Sequence, residues 1–243
     1  MSEATPIALI TGAAKRIGRH LALGLAKKGW HIAGTYNSSD QDIATLAAEV
    51  EALGKKFLKI KVDLSQADDV ATCLPNCITG LGPPTLLINN ASLFAKDEVT
   101  TLTSDSFDQH MAINLKAPLL LAQTMVKALD NNEKAVIINM TDQRVQNPGT
   151  DFYTYTLSKI GLASATETMA LALAPHVRVN AIAPGPVLQS IHQTQEEFQA
   201  EWGTTPLEQG TSLEEIMQAV NFILQTPSMT GTTLYLDGGQ RLI

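Results

Sequence analysis

Cations, cysteines and long apolar runs are all scarce in this chain of 243 residues, and each scarcity excludes something. Lys and Arg number 17 against 24 Asp and Glu, a formal net charge of −7 that argues against binding nucleic acid or an anionic membrane. Two cysteines, Cys73 and Cys77, cannot build a disulfide framework. Pro75 lies between them and no histidine cluster accompanies them, so both are expected to be small buried thiols and no metal site is predicted. His20, His31, His110, His176 and His192 are scattered and form no recognisable triad. No apolar run reaches the ~18 residues of a membrane span, and no basic leader with an apolar core opens the chain. A soluble cytoplasmic protein is expected.

What is plentiful is apolar: 44% of residues are hydrophobic and only 17% charged. A chain of this size buries roughly 70–75% of its unfolded surface, so global disorder is excluded. Short runs of Val, Ile and Leu predict strands near 7–11, 31–36, 57–62, 85–90, 134–140, 177–182 and 232–237. Helical spacing predicts helices at 17–28, 40–53, 66–79, 104–130, 152–174 and 212–225. This alternation is the sequence form of a single α/β domain over 1–243, a doubly wound, seven-stranded, mainly parallel sheet with helices on both faces. Asp68-Asp69 and Glu214-Glu215 read as solvated first-turn acids, and the seven methionines as packing. Residues 184–211 are polar, rich in Gln and Glu and without a strand; they are either a lid over the ligand crevice or a surface excursion.

The first predicted strand runs through Thr11-Gly12-Ala13-Ala14-Lys15-Arg16-Ile17-Gly18 into a helix. Gly12 allows a tight turn, Gly18 a close approach of helix to strand, and the helix N-terminus offers free amides to a pyrophosphate. That context points to a dinucleotide. After the second strand stand Tyr36, Asn37 and Ser38, with no acid before Asp40 to accept a ribose 2′-hydroxyl. Lys15, Arg16 and Arg19 place three cations within five positions, and Arg16 can fork onto a phosphate. NADP(H) is therefore expected over NAD(H). Asp63 and Leu64 end the third strand and are candidates for the adenine edge. Asn89, Asn90, Ala91 and Ser92 close the fourth, where the asparagines either pin loops or touch the cofactor.

Tyr155 and Lys159 lie four apart on one face of a predicted helix. A nearby cation favours the phenolate, and lowering a phenol from about 10 toward ~7 takes about 4 kcal/mol, within reach of a lysine plus an oxidised nicotinamide. Alone the spacing is commonplace. Joined to the glycine turn and Asn89-Asn90-Ala91 it becomes specific.

With Asn114, Val179-Asn180, Pro184-Gly185 and Asp237-Gly238-Gly239 also in order, the chain resembles the short-chain dehydrogenase/reductase family over nearly its whole length. The resemblance implies that Tyr155 exchanges a proton, that Lys159 lowers its pKa and binds the nicotinamide ribose, and that Asn114 supports a water linked to Lys159. Pro184 and Gly185 are implied in cofactor binding, and oligomers, a homotetramer above all, are implied by the family's habit. Two positions depart from the pattern. Arg16 replaces the turn's middle glycine, and Asp142 stands where the family keeps a serine for a substrate carbonyl. A carboxylate there repels a developing alkoxide but pairs with ring N–H or amino donors. Thr141, one residue earlier, replaces the serine if the loop shifts.

Both departures resemble the pteridine reductase subgroup. So do Asn139-Met140-Thr141-Asp142, Asn114 with Pro118, and Phe94, which sits where that subgroup sandwiches a pterin against nicotinamide; the bland alternative for Phe94 is core packing. The resemblance implies a cytoplasmic NADPH-dependent oxidoreductase acting on CH–NH groups of pterins or folates. Arg16, Ser92, Phe94, Asp142 and Tyr155 would line the substrate, and Asp142, Tyr155, Lys159 and Asn114 would carry catalysis. The alternatives are a carbonyl reductase of 3-oxoacyl or sugar type using Thr141, and a silent NADP(H)-binding protein.

Overall fold

The computed structural model describes residues 5–130, 133–189 and 193–243. Seven strands, β1 (Ile7–Ile10), β2 (His31–Tyr36), β3 (Phe57–Lys61), β4 (Leu86–Asn89), β5 (Ala135–Met140), β6 (Val177–Pro184) and β7 (Thr233–Leu236), form one sheet. Its order is β3-β2-β1-β4-β5-β6-β7, and every pair is parallel. The order reverses between β1 and β4, where the crevice for a ligand opens at the strands' carboxyl ends.

Helices α1 (Arg16–Lys27), α2 (Asp40–Ala52), α3 (Ala67–Gly80), α4 (Ser104–Met111), α5 (Ala117–Ala128), α6 (Tyr153–Leu173), α7 (Gln195–Thr204) and α8 (Leu213–Gln225) cover both faces. One core sets Leu21 and Leu25 of α1, Leu46 of α2 and Val220 of α8 against Ile10, Ile32 and Ile88. The other sets Cys73 and Leu74 of α3 and Leu121 and Met125 of α5 against Leu9, Leu87 and Ile137. Each fully buried Leu or Ile contributes about 1.5–3 kcal/mol of transfer free energy. Strands clothed on both faces explain the continuous apolar runs of β1, β4 and β5, whereas the edge strand β3 exposes Lys59 and Lys61.

The expected single helix over 104–130 is divided. A π-helical turn, Ala112–Lys116, separates α4 from α5. Pro118 has no N–H to donate to the carbonyl of Asn114 in α-helical register, so the ladder widens at that point. Within the expected 184–211 insertion, α7 is a helix that periodicity does not show. Its signal is a capping box instead: Thr194 Oγ1 accepts from Glu197 N at 3.2 Å and the Glu197 carboxylate accepts from Thr194 N at 2.7 Å. His192, in this stretch, lies outside the described residues.

Cys73 and Cys77 are buried and free, with burial pushing both thiols up to about 12. Among the described residues no group of three or more His, Cys, Asp or Glu side chains is placed to hold a metal ion, and no helix is long and apolar enough to cross a membrane.

The glycine turn leaves no room for a side chain at its helix end. A Cβ on Gly18 would lie 2.2 Å from the Gly12 carbonyl oxygen and 2.7 Å from Asn90 Nδ2. Gly18→Ala should therefore destabilise the protein by about 2 kcal/mol, read as a lowered midpoint in urea. An unchanged midpoint would contradict the packing.

Candidate active site

The turn between β1 and α1 is fastened to the loop after β4. Thr11 Oγ1 accepts the N–H groups of Asn90 and Ala91 at 2.9 and 3.0 Å, and Asn90 Nδ2 donates back to the Thr11 and Gly12 carbonyls. Of the two roles open to the asparagine pair, loop pinning is the one these bonds perform. Asn89 faces the other way, donating to Asn139 Oδ1, whose amide donates to Thr166 Oγ1 on α6. A buried polar ladder thus sets β4, β5 and α6 in register.

Above this platform lies a cavity of about 730 Å³. Its lining takes Gly12, Lys15, Arg16, Ile17, Asn90, Ala91 and Ser92 from the turn and the loop after β4, Phe94, Asp142, Tyr155 and Lys159 from around the phenol, and Pro184, Gly185 and residues of α7. Five expected cofactor residues, Tyr36, Asn37, Ser38, Asp63 and Leu64, stand at the ends of β2 and β3 outside this lining. The Asp63 carboxylate is engaged locally, accepting from Ser65 N and Oγ.

The cation cluster resolves into unlike parts. Lys15 pairs with Asp42 at 3.0 Å and Arg19 with Glu49 at 2.6 Å, both on α2. Arg16 alone of the three has no carboxylate partner among the described residues; its guanidinium donates to the carbonyls of Leu188 and Gln189 at 3.1 and 2.9 Å. Arg16 also keeps the left-handed backbone of the glycine it replaces, with φ 52°. That conformation costs of order 1 kcal/mol or more in a non-glycine residue.

At the centre, the Tyr155 hydroxyl donates to Asp142 Oδ2 at 2.6 Å, while Asp142 Oδ1 accepts from Arg144 N at 2.9 Å. Lys159 Nζ donates to the Met140 carbonyl at 2.7 Å and lies 5.6 Å from the Tyr155 ring centre. The expected lowering of the phenol's pKa is reversed in this structure. Burial pushes the Tyr155 phenol well above its ordinary value, and the charge of Asp142 together with its hydrogen bond pushes the same way. Burial is the larger cause, and the nearest charge that acts on the phenol is the carboxylate rather than the lysine. Burial raises Asp142 too, against the pull of its hydrogen bond from Tyr155. Burial brings Lys159 down to about 8, with Asp142 opposing.

Asn114, in the π turn, spends its side chain on pinning. It donates to the Leu93 carbonyl and Ser158 Oγ, each at 3.0 Å, and accepts from Leu93 N and Ser92 Oγ. Thr141 Oγ1 donates to the Ile182 carbonyl at 3.1 Å, so its proton is held by the sheet. Phe94 stacks on Phe152 with centroids 4.1 Å apart and meets Tyr155 edge-on at 4.8 Å. Phe152, with the Arg144 guanidinium 5.3 Å over its ring, is a cavity residue that sequence reasoning missed, since one aromatic before a helix carries no signal.

Comparison with known proteins agrees with this geometry. The family model for short chain dehydrogenases matches residues 6–200. The chain belongs to the short-chain dehydrogenase/reductase family, and is an oxidoreductase of that class. Among curated relatives, L-xylulose reductase of Mesocricetus auratus is 30% identical over 96% of this chain and 95% of its own. The 3-oxoacyl-acyl-carrier-protein reductase FabG of Staphylococcus aureus is 28% identical over 97% and 98%. Among solved structures, the FolM alternative dihydrofolate reductase 1 of Brucella suis in complex with NADP shares 39% identity with a TM-score of 0.95, covering 99% of this chain and 96% of that one. Its counterpart from Brucella canis, also with NADP, shares 38% with a TM-score of 0.93 over the same shares.

A lysine whose pKa in the folded chain lies below its ordinary 10.5 costs stability at neutral pH. That cost is full below pH about 8 and fades as the pH rises from there to 10.5. Lys159→Met should therefore raise Tm at pH 7 by about 3–6 °C, and the gain should shrink at pH 10. A Tm gain that is constant across this range would contradict the assignment.

Proposed function

We propose that this protein is an NADPH-dependent pteridine reductase that reduces dihydropterin or dihydrofolate-type rings to their tetrahydro forms, and oxidised pterins as a further substrate. The observation that carries the reading is the carboxylate of Asp142, which lines the cavity and takes the Tyr155 hydrogen bond at 2.6 Å. A negative charge beside the proton donor opposes a growing alkoxide but accepts hydrogen bonds from an amino or ring N–H donor. The two Brucella structures, solved as alternative dihydrofolate reductases with NADP, support the same class.

The residues present fit the dinucleotide. A Cβ on Gly12 would come within 3.0 Å of Ala91 Cα, so the turn offers backbone rather than side chains to the pyrophosphate. Lys15, Arg16, Ile17, Asn90, Ala91, Ser92, Pro184 and Gly185 would hold it from the cavity, with Tyr36, Asn37, Ser38, Asp63 and Leu64 on the adenosine side. NADPH bound there supplies a hydride to a ring carbon.

Tyr155 keeps its phenolic proton, and with Asp142 delivers it to the adjacent ring nitrogen, so that C=N becomes CH–NH with one hydride and one proton. Lys159, anchored on Met140, would bind ribose and hold positive charge below the phenol. Phe94, backed by Phe152, gives the substrate ring a flat wall. Arg16 and Ser92 complete the substrate contacts. Residues 184–211 would act as the lid of a single domain. A cytoplasmic homotetramer belongs to the same proposal; the exposed Phe107 of α4, Leu171 of α6 and Phe222 of α8 are faces such an assembly would cover.

The second reading, a carbonyl reductase of 3-oxoacyl or sugar type, draws on the names of the curated relatives. It needs a second hydroxyl donor beside Tyr155, and the Thr141 hydroxyl instead donates to the Ile182 carbonyl. A silent NADP(H)-binding protein would have no use for the Asp142–Tyr155–Lys159 arrangement.

NADPH oxidation measured with dihydrobiopterin, dihydromonapterin, dihydrofolate and an acetoacetyl thioester in parallel should show turnover of the reduced pterins. Turnover of the thioester alone would reject the proposal, and tight NADPH binding with no turnover would favour the silent binder. Asp142→Ala should lower pterin kcat/KM by about 100-fold while NADPH affinity stays within about threefold, as single-turnover kinetics with a cofactor titration would show. Arg16→Gly should relieve the left-handed strain yet narrow the preference for NADPH over NADH by about tenfold, the loss of one charge-assisted phosphate contact. An unchanged ratio would remove Arg16 from the 2′-phosphate.

A further inference from the structure

Phe94 and Tyr155 come from distant segments, yet meet with ring centroids 4.8 Å apart. A buried polar bridge beneath them sets that register. Helix α6 has no cap of its own, because its N-cap position is Phe152, in the left-handed region at φ 49°, and its side chain accepts no hydrogen bond. Asp97 supplies the acceptors from another segment. Its backbone carbonyl accepts from Tyr153 N at 3.2 Å, and its Oδ1 accepts from Thr154 N at 3.0 Å. Its Oδ2 accepts the hydroxyls of Thr154 and, at 2.7 Å, Ser106.

A second link runs beside the first. Ala95 N donates to His110 Nε2 at 3.4 Å, which leaves Nδ1 as the protonated nitrogen. That nitrogen lies 2.8 Å from both the Ser106 carbonyl and Thr154 Oγ1. Asp97 is 6% exposed, and His110 and Thr154 are wholly buried. None of the three lines the cavity. Burial alone would lift the Asp97 carboxyl, but the hydrogen bonds from Thr154 and Ser106 hold it below its ordinary value, so an anion sits at the positive end of α6. The chain neighbours of Phe94 are thereby tied to the chain neighbour of Tyr155.

We propose that Asp97 is a positioning residue: by capping the catalytic helix from the Phe94 loop, it holds Phe94 and Tyr155 as one unit. The inference rests on placing those two rings at the reacting end of the cavity. Its removal loosens the proton donor against the substrate wall, while the glycine turn that would carry NADPH stays intact.

The test uses the full chain and whichever substrate the wild type reduces. Asp97→Ala should lower kcat/KM by about 30-fold, most of it in kcat, with the Kd for NADPH within about twofold. Asp97→Asn keeps an acceptor for Thr154 N and should recover about tenfold of that loss. Adding Thr154→Val to Asp97→Ala should cost less than about a further twofold, because both break one bridge. Hydrogen exchange at residues 153–154 should quicken in Asp97→Ala and stay unchanged in the central strands. For Asp97→Ala, a kcat/KM within about threefold of wild type, an equal loss of NADPH affinity, or a value no different from that of Asp97→Asn would overturn the proposal. If Asp97→Ala does not fold, Asp97→Asn and Thr154→Val each carry the test, with about a threefold to fivefold loss expected and none overturning it. If the wild type reduces only the thioester, the pterin reading fails, and the ratio of variant to wild type still decides the role of Asp97.

Discussion

The hydroxyl of Tyr155 donates to the carboxylate of Asp142, and the chemistry open to this cavity follows from that hydrogen bond. A phenol beside an ammonium alone is drawn toward its anion; a phenol beside a carboxylate is held protonated. Lys159 cannot reverse this, because it is anchored on the Met140 carbonyl and its own pKa is depressed by burial. The site is therefore a held proton next to a negative acceptor of N–H donors, which suits reduction of a nitrogen ring better than reduction of a ketone. The sheet builds that pair: β5 ends at Met140, two residues before Asp142, and α6 starts at Tyr153, with Tyr155 and Lys159 in its first two turns.

The remaining structure serves to keep this pair, the glycine turn and the aromatic wall in one place. Thr11 and Asn90 lock the turn to the loop after β4, and Asn114 locks that loop to Ser158 on α6. The Asn89–Asn139–Thr166 ladder ties β4, β5 and α6 underneath. These bonds join segments far apart in sequence, and each satisfies a group whose burial alone would cost about 1–3 kcal/mol. The missing Cβ at Gly12 and Gly18 lets backbone meet backbone where a dinucleotide needs amides.

Much of this was legible in the residues. Runs rich in Val, Ile and Leu marked the strands, most plainly the inner β1, β4 and β5, because a sheet covered on both faces leaves no polar alternation there. Asp142 and Arg16 stood out as departures, and the structure gives both a specific environment. The π turn at Ala112–Lys116 and helix α7 were not seen, the first because a ladder defect leaves no periodicity, the second because its mark is a capping box rather than an apolar stripe. Lys15, Arg16 and Arg19 read in sequence as one cation cluster, but the ion pairs that set Lys15 and Arg19 apart, with Asp42 and Glu49, arrive from α2 only in three dimensions. The same holds for the direction of the Tyr155 shift. A Tyr and Lys four apart are visible in one helix, whereas the carboxylate that outweighs the lysine comes from 13 residues away and only the fold sets it at the hydroxyl.

The central claim is that Asp142 keeps Tyr155 protonated. Carbon-13 NMR of the tyrosine ring carbons, with Tyr155 assigned by its loss in Tyr155→Phe, tests it directly. In the wild type the Tyr155 signal should remain that of a neutral phenol beyond pH ~10, and in Asp142→Ala its transition should move to lower pH. A tyrosinate signal from Tyr155 below pH ~10 in the wild type, or a transition that Asp142→Ala leaves in place, would contradict the account.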